Sequence, residues 1–337
     1  ELSANIIDLC PVGALNNKPY RYSARAWEMT QHATVSPHDC AGSNLYAHVL
    51  RGTIKRIVPR DNESINEAWI SDRDRFSYEA IYSSDRLITP RIKDGDVWRD
   101  IEWGNALAHA ADVLSFADSK KIGLISSSAS TVEESYLLSK LAQHLDTANI
   151  DHRVNRRDTS DQDSDPVFES LGTDIAAIER QDAILVVGSN IRSEAPILAH
   201  RIRKAAVNGA KVSFANAKEY EYLFDVANYV SGLGLVELLS GIAVAANVKS
   251  DAVSVLCAGV KANDAQFRIA NSLKDADDAM VLLGCVAGNH AAYSTVRALA
   301  AAIADETGAT IGFVTNGPNA SGASLAGVLP HREVGGA

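Results

Sequence analysis

The sequence is poor in cysteine, and its few cysteines are far apart. Only four occur among 337 residues, Cys10, Cys40, Cys257 and Cys285, and no two of them form a C-x-x-C pair. Disulfide frameworks are typical of small secreted domains, whereas a chain of this length buries a sizeable core without such crosslinks. The cysteine usage therefore excludes a disulfide-rich fold and is typical of a reducing compartment.

Long apolar runs and an excess of basic residues are also missing. Apolar segments such as Ala183–Val187 end after a few residues, whereas a helix that crosses a bilayer needs about 20. The 42 Asp and Glu outnumber the 32 Lys and Arg, so the net charge is −10, and nonspecific nucleic-acid binding depends on a basic excess. We therefore expect neither a direct membrane span nor a nucleic-acid partner.

The first third of the chain departs from this acidic average. Eight basic residues lie close together along it, and we interpret them as a solvated or interdomain face or, alternatively, as a contact for an acidic partner subunit. They are Arg51, Lys55, Arg56, Arg60, Arg73, Arg75, Arg86 and Arg91.

Complete catalytic motifs are absent. Glycines follow apolar segments at residues 183–190, 282–289 and 311–317, but none of these is a full G-x-G-x-x-G and none carries a P-loop lysine. The three serines at 126–128 lack the G-x-S-x-G context of a nucleophile elbow, and the histidines show no zinc-ligand spacing. These patterns indicate turn residues and structural histidines more readily than a nucleotide, hydrolytic or zinc site.

The sequence does contain two kinds of periodicity, which divide it into regions. Residues 45–50 and 53–58 are short β-branched and apolar runs joined by Arg51 and Gly52, which predicts a hairpin in a small β-rich module. Residues 1–30 are dense in turn residues, and an irregular connector with Pro90 and Trp98 follows the module. We predict domains at 1–30, 31–82 and 83–337.

From about residue 100, helical and strand periods alternate. This alternation predicts an α/β fold with a parallel sheet covered by helices on both faces. A polar loop at 155–165 interrupts it, which we interpret as a solvated insertion or, alternatively, as a ligand or partner loop. The predicted strands are 122–125, 183–187, 210–214, 279–283 and 310–314, and the predicted helices are 102–116, 132–145, 195–207, 236–246 and 291–304.

Cys10 differs from the other cysteines because proline follows it directly. Residues 10–15 read Cys-Pro-Val-Gly-Ala-Leu, and a final Cys-Pro is typical of ferredoxin-type cluster motifs. The proline removes a backbone donor and stiffens the turn, while the glycine lets the backbone approach a bulky group. A 4Fe-4S cluster needs three further thiolates, and this chain offers no triplet.

Several segments resemble the large iron-sulfur subunit (75 kDa or G-type subunit) of NADH:quinone oxidoreductase, respiratory complex I. The resemblance extends over essentially the whole chain, although members of that family are longer at both ends. We therefore expect a fragment that lacks the N-terminal ferredoxin-like region and the C-terminal part. The similar segments are residues 10–15, 18–20, 24–25, 27–28, 42–44, 56–60, 66–73, 188–190 and 194–196.

The resemblance implies a role for Cys10. In the family, the cysteine of Cys-Pro-Val-Gly is the last ligand of a 4Fe-4S cluster whose other three cysteines lie in the ferredoxin-like region. The resemblance thus makes Cys10 a metal and cofactor ligand, and it places a 2Fe-2S cluster and a further 4Fe-4S cluster outside this sequence. It also implies a small 4Fe-4S-type β module followed by an α/β body like that of molybdopterin oxidoreductases.

Some bacterial members hold an extra 4Fe-4S cluster in the β module through C-x-x-C-x-x-x-C and a distant cysteine. Here that window contains only Cys40, and the distant position is Ser71. We therefore predict no cluster in this module. We expect Cys40 to be a buried or idle thiol, and Cys257 and Cys285 to be core residues. For the same reason we predict no bound molybdopterin, because its usual electron exit is missing.

The resemblance implies an electron-relay subunit, inactive alone, that passes electrons from NADH and flavin in other subunits toward quinone. Its partners would be other complex I subunits, including the flavin- and NADH-binding one. Its place would be the peripheral arm, at the cytoplasmic face of a bacterial inner membrane or on the mitochondrial matrix side. Two alternatives are a molybdopterin-dependent oxidoreductase and a catalytically silent scaffold.

Overall fold

A computed structural model describes residues 1–155, 157–232 and 234–336. Its N-terminal part is a small module with the short helices α1 (Ile6–Leu9) and α2 (Asp72–Phe76). Between them lies an antiparallel sheet in the order β1 (Thr30–Val35), β2 (Asn44–Leu50) and β3 (Thr53–Pro59). The predicted hairpin is confirmed: Arg51 and Gly52 both have positive φ, as the tight two-residue turn between β2 and β3 requires.

The connector after this module is more regular than its sequence indicated. Strands β4 (Arg91–Asp94) and β5 (Val97–Asp100) form a second hairpin around Gly95, so the prediction of an irregular segment was wrong. Asp-Gly is a hairpin signal in its own right. Helix α3 (Trp103–Phe116) follows as predicted, but none of its side chains is buried, and its apolar stripe is therefore not part of a core.

A small unit precedes the main sheet. It contains β6 (Leu124–Ile125), α4 (Val132–His144) and β7 (Ile150–Asp151), and within the described part of the chain β6 pairs only with β7. The strand predicted at 122–125 therefore lies outside the main sheet. Thr131 caps α4 as its sequence indicated, since its hydroxyl accepts from the amide of Glu134.

The main sheet has five parallel strands in the order β10-β9-β8-β11-β12. Its strands are β8 (Ala183–Val187), β9 (Lys211–Asn216), β10 (Asn228–Ser231), β11 (Ala279–Leu283) and β12 (Thr310–Phe313). The helices of this region are α5 (Ile191–Glu194), α6 (Pro196–Val207), α7 (Leu235–Ala245), α8 (Asp251–Cys257), α9 (Asp264–Lys274), α10 (Cys285–Gly288), α11 (Tyr293–Thr307) and α12 (Ala320–Leu325).

Alternating side chains of β8 and β11 enter two different cores. Leu185 and Val281 pack with α7, α9 and α11 on one face, whereas Ile184 and Met280 pack with α6 on the other. The central strands are apolar throughout because both of their faces are covered. The predicted parallel α/β body is thus confirmed.

The small module packs on the α6 side of this sheet. Ala41 and Trp69 join the core that α6 covers, and the buried Arg201 of α6 binds Glu67 of the module at 3.0 Å. Among the described residues, no helix has the length and apolar content that crossing a bilayer requires.

Candidate metal centre and sheet edge

Cys10 lies directly after α1, in a loop that turns back on its own sulfur. The backbone turns at Gly13, whose φ of 66° favours glycine, and the amide of Leu15 then donates to Cys10 Sγ at 3.4 Å. That N–H lowers the pKa of the Cys10 thiol most, and the N–H groups of Ala14, Val12 and Gly13 lower it further, against a smaller opposing effect of burial. Four backbone dipoles therefore favour the thiolate.

This geometry suits a cysteine that supplies one ligand of a metal centre. The thiolate is the form of cysteine that binds metals, and N–H groups directed at sulfur are typical surroundings of a cluster ligand. Cys10 is also partly exposed, so a group from outside the described residues can reach it.

A polar contact network holds α1 against the small module. Arg75, which is 1% exposed, donates to the carboxylate of Asp8 and to Asn5 Oδ1. Asn5 in turn pairs with the backbone of Ile70, donating at 2.7 Å and accepting at 3.0 Å. The position of Cys10, two residues after Asp8, thus depends on a buried cation in α2.

The described residues supply only one ligand to such a centre. No group of three or more His, Cys, Asp or Glu side chains in the described ranges is arranged to hold a metal ion. The residues present therefore fit a 4Fe-4S cluster at Cys10 only if three ligands come from elsewhere.

The small module has a buried polar cluster where the extra cysteines of some relatives would be expected. The spacing C-x-x-C-x-x-x-C coincides with Ser36, Asp39 and Ser43, which like Ser71 are at most 3% exposed. The hydroxyls of Ser36 and Ser71 both donate to the buried carboxylate of Asp74. Hydroxyl and carboxylate groups are harder ligands than thiolates and are poorly suited to iron-sulfur clusters. Counting cysteines did not reveal this network.

The remaining cysteines are partly buried at the margins of the cores. Burial and the nearby Asp39 raise the pKa of Cys40 to about 11. Burial, followed by the charge of Glu194, raises the pKa of Cys285 as well, and burial raises that of Cys257. All three thiols are therefore expected to stay protonated at neutral pH.

The glycine-containing motifs of the sequence meet at the carboxyl edge of the main sheet. Gly188 follows β8 and Gly284 follows β11, and the amide of Gly284 donates to Val187 O at 2.9 Å. Beside them is a cavity of about 40 Å³ that also touches Asn316. Glu194 belongs to no binding motif that the sequence shows, yet its carboxylate accepts hydrogen bonds from both loops.

The polar loop at 155–165 contacts α11 through charged side chains, although most of its described residues are exposed, as expected of a solvated insertion. Asp161 binds Arg297 at 2.6 Å, and Asp165 binds Arg157 at 3.1 Å. These residues adjoin a cavity of about 110 Å³ that is also lined by Arg153 and other polar groups. Arg156 lies outside the described residues.

The basic residues of the first third have different surroundings. Arg75 is buried against Asp8 and is not part of an exposed face. The Arg56 guanidinium lies 4.4 Å from the ring centre of Tyr20, and Arg73 donates to the backbone of Glu194 in the α/β body.

Comparison with known proteins assigns the chain to a class. Residues 86–328 match the family model described as molybdopterin oxidoreductase, which covers well over half of the chain. The chain belongs to the molybdopterin oxidoreductase family. Residues 29–79 match a second model, "NADH-ubiquinone oxidoreductase NDSU1/NuoG-like, 4Fe-4S domain".

Individual relatives indicate a narrower group of proteins within this class. The chain is 36% identical to the G-type subunit of the NADH-quinone oxidoreductase of Rickettsia felis over 224 residues, 65% of this chain and 33% of that protein. It is 36% identical to the mitochondrial NADH-ubiquinone oxidoreductase 78 kDa subunit of Candida albicans over 234 residues, 68% of this chain and 32% of that protein. The chain is thus a partial homologue of the G-type or 75 kDa subunit of complex I and spans about a third of these relatives, which confirms the resemblance.

Proposed function

We propose that this chain is part of an electron-relay subunit of NADH:quinone oxidoreductase, with Cys10 as one ligand of a 4Fe-4S cluster. The observation that supports this most directly is the set of backbone N–H groups around the Cys10 sulfur. The homology to G-type subunits supports it independently. The relay belongs to the whole assembled protein, because this chain supplies a single ligand.

The cluster, when bound, supplies one-electron transfer. The chain's own residues would position the Cys10 ligand and influence the reduction potential of the cluster. N–H groups at the ligand sulfur stabilise the more negative, reduced state, and so they raise the reduction potential. Arg75 and Asn5 fix the helix that carries Cys10. The flavin, NADH and quinone sites, the 2Fe-2S cluster and the further 4Fe-4S cluster belong to partner subunits or to parts of the subunit outside this sequence.

The assembly proposed here places the chain in the peripheral arm, at the cytoplasmic face of a bacterial inner membrane or on the mitochondrial matrix side. For the α/β body we propose a scaffold role. Its charged groups at the sheet edge pair with one another, as Arg157 does with Asp165 and Glu169. Ion pairs of this kind neutralise the charges at the sheet edge, which is consistent with a structural role.

The test is Cys10→Ser in the complete subunit, assembled with its partners. Serine is a harder and less acidic ligand than cysteine, so the cluster should be lost or its potential lowered. We expect NADH-driven quinone reduction to fall to background, while NADH oxidation by an acceptor that draws electrons from the flavin survives. Electron paramagnetic resonance of the reduced complex reports the cluster directly.

Cys257→Ser is the matched control, since Cys257 is also partly buried but lies against the distant core of α7 and α9. It should leave both activities and every cluster signal unchanged. Full quinone reduction by Cys10→Ser, with an unaltered cluster spectrum, would overturn the ligand assignment.

A further inference from the structure

The order of the strands identifies the place where a sheet of this kind binds ligands. The chain runs outward from β8 through β9 to β10 and then returns to β11 on the other side of β8. The connections therefore diverge between β8 and β11. In open parallel sheets, ligands bind in the crevice outside the carboxyl ends of the strands at such a switch point.

In this protein one side chain occupies that crevice. Glu194 Oε2 accepts from the Ser189 hydroxyl at 2.7 Å and from the Cys285 amide at 2.9 Å. Its Oε1 accepts from the Asn190 amide at 2.8 Å. The three donors come from the loops after both strands, and they are the kind of groups that bind the anionic part of a nucleotide or phosphate ligand.

The two loops are also in direct contact. A Cβ atom built on Gly284 would overlap Ser189 Cβ and would lie 2.8 Å from Gly188 O. The amide of Ala287 donates to Gly188 O at 2.9 Å and ties the loops together. The adjoining cavity has a volume of about 40 Å³, and a neighbouring cavity that shares Asn289 and Asn316 with it has about 110 Å³. Cofactor sites are larger, at about 300 Å³ or more.

Molybdopterin carries a phosphate, and to reach these three donors that group would have to displace the Glu194 carboxylate. The residues at the switch point therefore do not fit the cofactor that gives the family its name.

We propose that the Glu194 carboxylate takes the place of an anionic ligand at the three donors of Ser189, Asn190 and Cys285. It links the β8 and β11 loops to each other and prevents phosphate-bearing cofactors from binding at the switch point. This inference does not depend on Cys10 or on a cluster. It predicts that removing the carboxylate leaves a vacant anion site, which a small carboxylate from solution can fill.

The experiment compares the 337-residue chain with Glu194→Ala. We expect the alanine variant to melt roughly 3–6 °C lower, because it loses charge-assisted hydrogen bonds and leaves partly buried donors unpaired. Sodium acetate at 100 mM should restore about half of that loss, relative to sodium chloride at equal ionic strength. Phosphate should also stabilise this variant more than the wild type, and only the excess counts, because phosphate stabilises folded proteins generally.

Glu133→Ala is the control, since Glu133 is an exposed carboxylate in the first turn of α4. It should respond to acetate as the wild type does. Hydrogen exchange gives a local readout: peptides covering 188–194 and 284–289 should exchange faster in Glu194→Ala and slow down again with acetate. The inference is overturned if both anions shift Glu194→Ala no more than the wild type, or if the exchange of these peptides is unchanged.

If Glu194→Ala does not fold, Glu194→Gln decides the question. The amide keeps the volume but places an N–H₂ group among three donors. Glu194→Gln should lower the melting temperature and speed hydrogen exchange in the same two peptides. Acetate should not reverse these changes, since the amide side chain still occupies the space beside the three donors. A wild-type melting temperature and wild-type exchange in Glu194→Gln would show that the carboxylate is not needed.

Discussion

The Cys10 loop and the β8–β11 edge of the sheet both contain converging hydrogen-bond donors, but these donors contact different acceptors. In each, backbone N–H groups converge on an acceptor that is negatively charged in its ionised form. At Cys10 that acceptor is a partly exposed sulfur whose pKa is lowered. At the sheet edge it is the carboxylate of Glu194, which lies within the same chain and is already bound. The first site is open to an external group, and the second has an internal occupant.

The comparison shows that backbone donors alone do not define a binding site. Whether such a site takes a ligand depends on what else is near the donors. Near the sheet edge, burial and acidic neighbours raise the pKa of Cys285 and Cys40, so that both thiols stay neutral. A family's architecture therefore does not by itself show where a chain binds a ligand.

The reactivity of the thiols gives the largest expected difference. In the 337-residue chain without a cluster, iodoacetamide at pH 8 should alkylate Cys10 more than about 100-fold faster than Cys40 or Cys285, because only the thiolate reacts and Cys10 is more accessible. Mass spectrometry of quenched samples measures each site. The rate at Cys10 should level off at a lower pH than that of an ordinary cysteine, whereas modification of Cys40 should rise toward about pH 11.

The same shifts determine how stability depends on pH. Because the pKa of Cys40 is raised in the folded state, its contribution is present below about pH 9 and is lost as the pH rises toward 11. Cys40→Ser should therefore reduce the loss of stability at alkaline pH.

The alkylation experiment has a clear contrary outcome. Equal alkylation rates at Cys10 and Cys285 would show that the two regions do not differ in electrostatic environment.

The anchoring of α1 gives the next largest effect. Arg75→Ala should lower the free energy of unfolding by about 3 kcal/mol, since Asp8 and Asn5 lose a buried partner. Arg91→Ala, which breaks an exposed pair with Asp100, should cost under about 0.5 kcal/mol. Urea denaturation measures both. A cost for Arg75→Ala no larger than that for Arg91→Ala would mean that the Cys10 loop is held by other contacts.

The sequence predicted the fold better where apolar runs are continuous. Strands β8 and β11 have the bounds predicted for them because both of their faces are buried, which makes the run uninterrupted. Strand β1, Thr30–Val35, was missed because every residue in it is exposed and its pattern is polar. Helix α3 was predicted, but its exposure was not, since amphipathic spacing does not show whether a neighbour covers the stripe.

The candidate sites were predictable to different degrees for a related reason. Cys10 stands in a local motif, and its N–H donors are at most five residues away, so the sequence alone points to it. Glu194 receives one of its hydrogen bonds from Cys285, which is 91 residues distant. Contacts of that kind arise from the sheet order, and no local pattern encodes them.

Two glycines offer the smallest and most direct test of the contrast between the regions. Gly13 has positive φ but open space around its Cα, so Gly13→Ala should cost about 1 kcal/mol from backbone strain alone. At Gly284 a methyl group meets Ser189 and the Gly188 carbonyl instead, and backbone cannot move aside as a flexible side chain can. Gly284→Ala should therefore cost about 2–3 kcal/mol in urea denaturation. It should also speed hydrogen exchange at 188–194, whereas Gly13→Ala should not. Equal costs, with no change in exchange, would mean that the β8 and β11 loops are loosely packed and that the sheet edge is as open as the Cys10 loop.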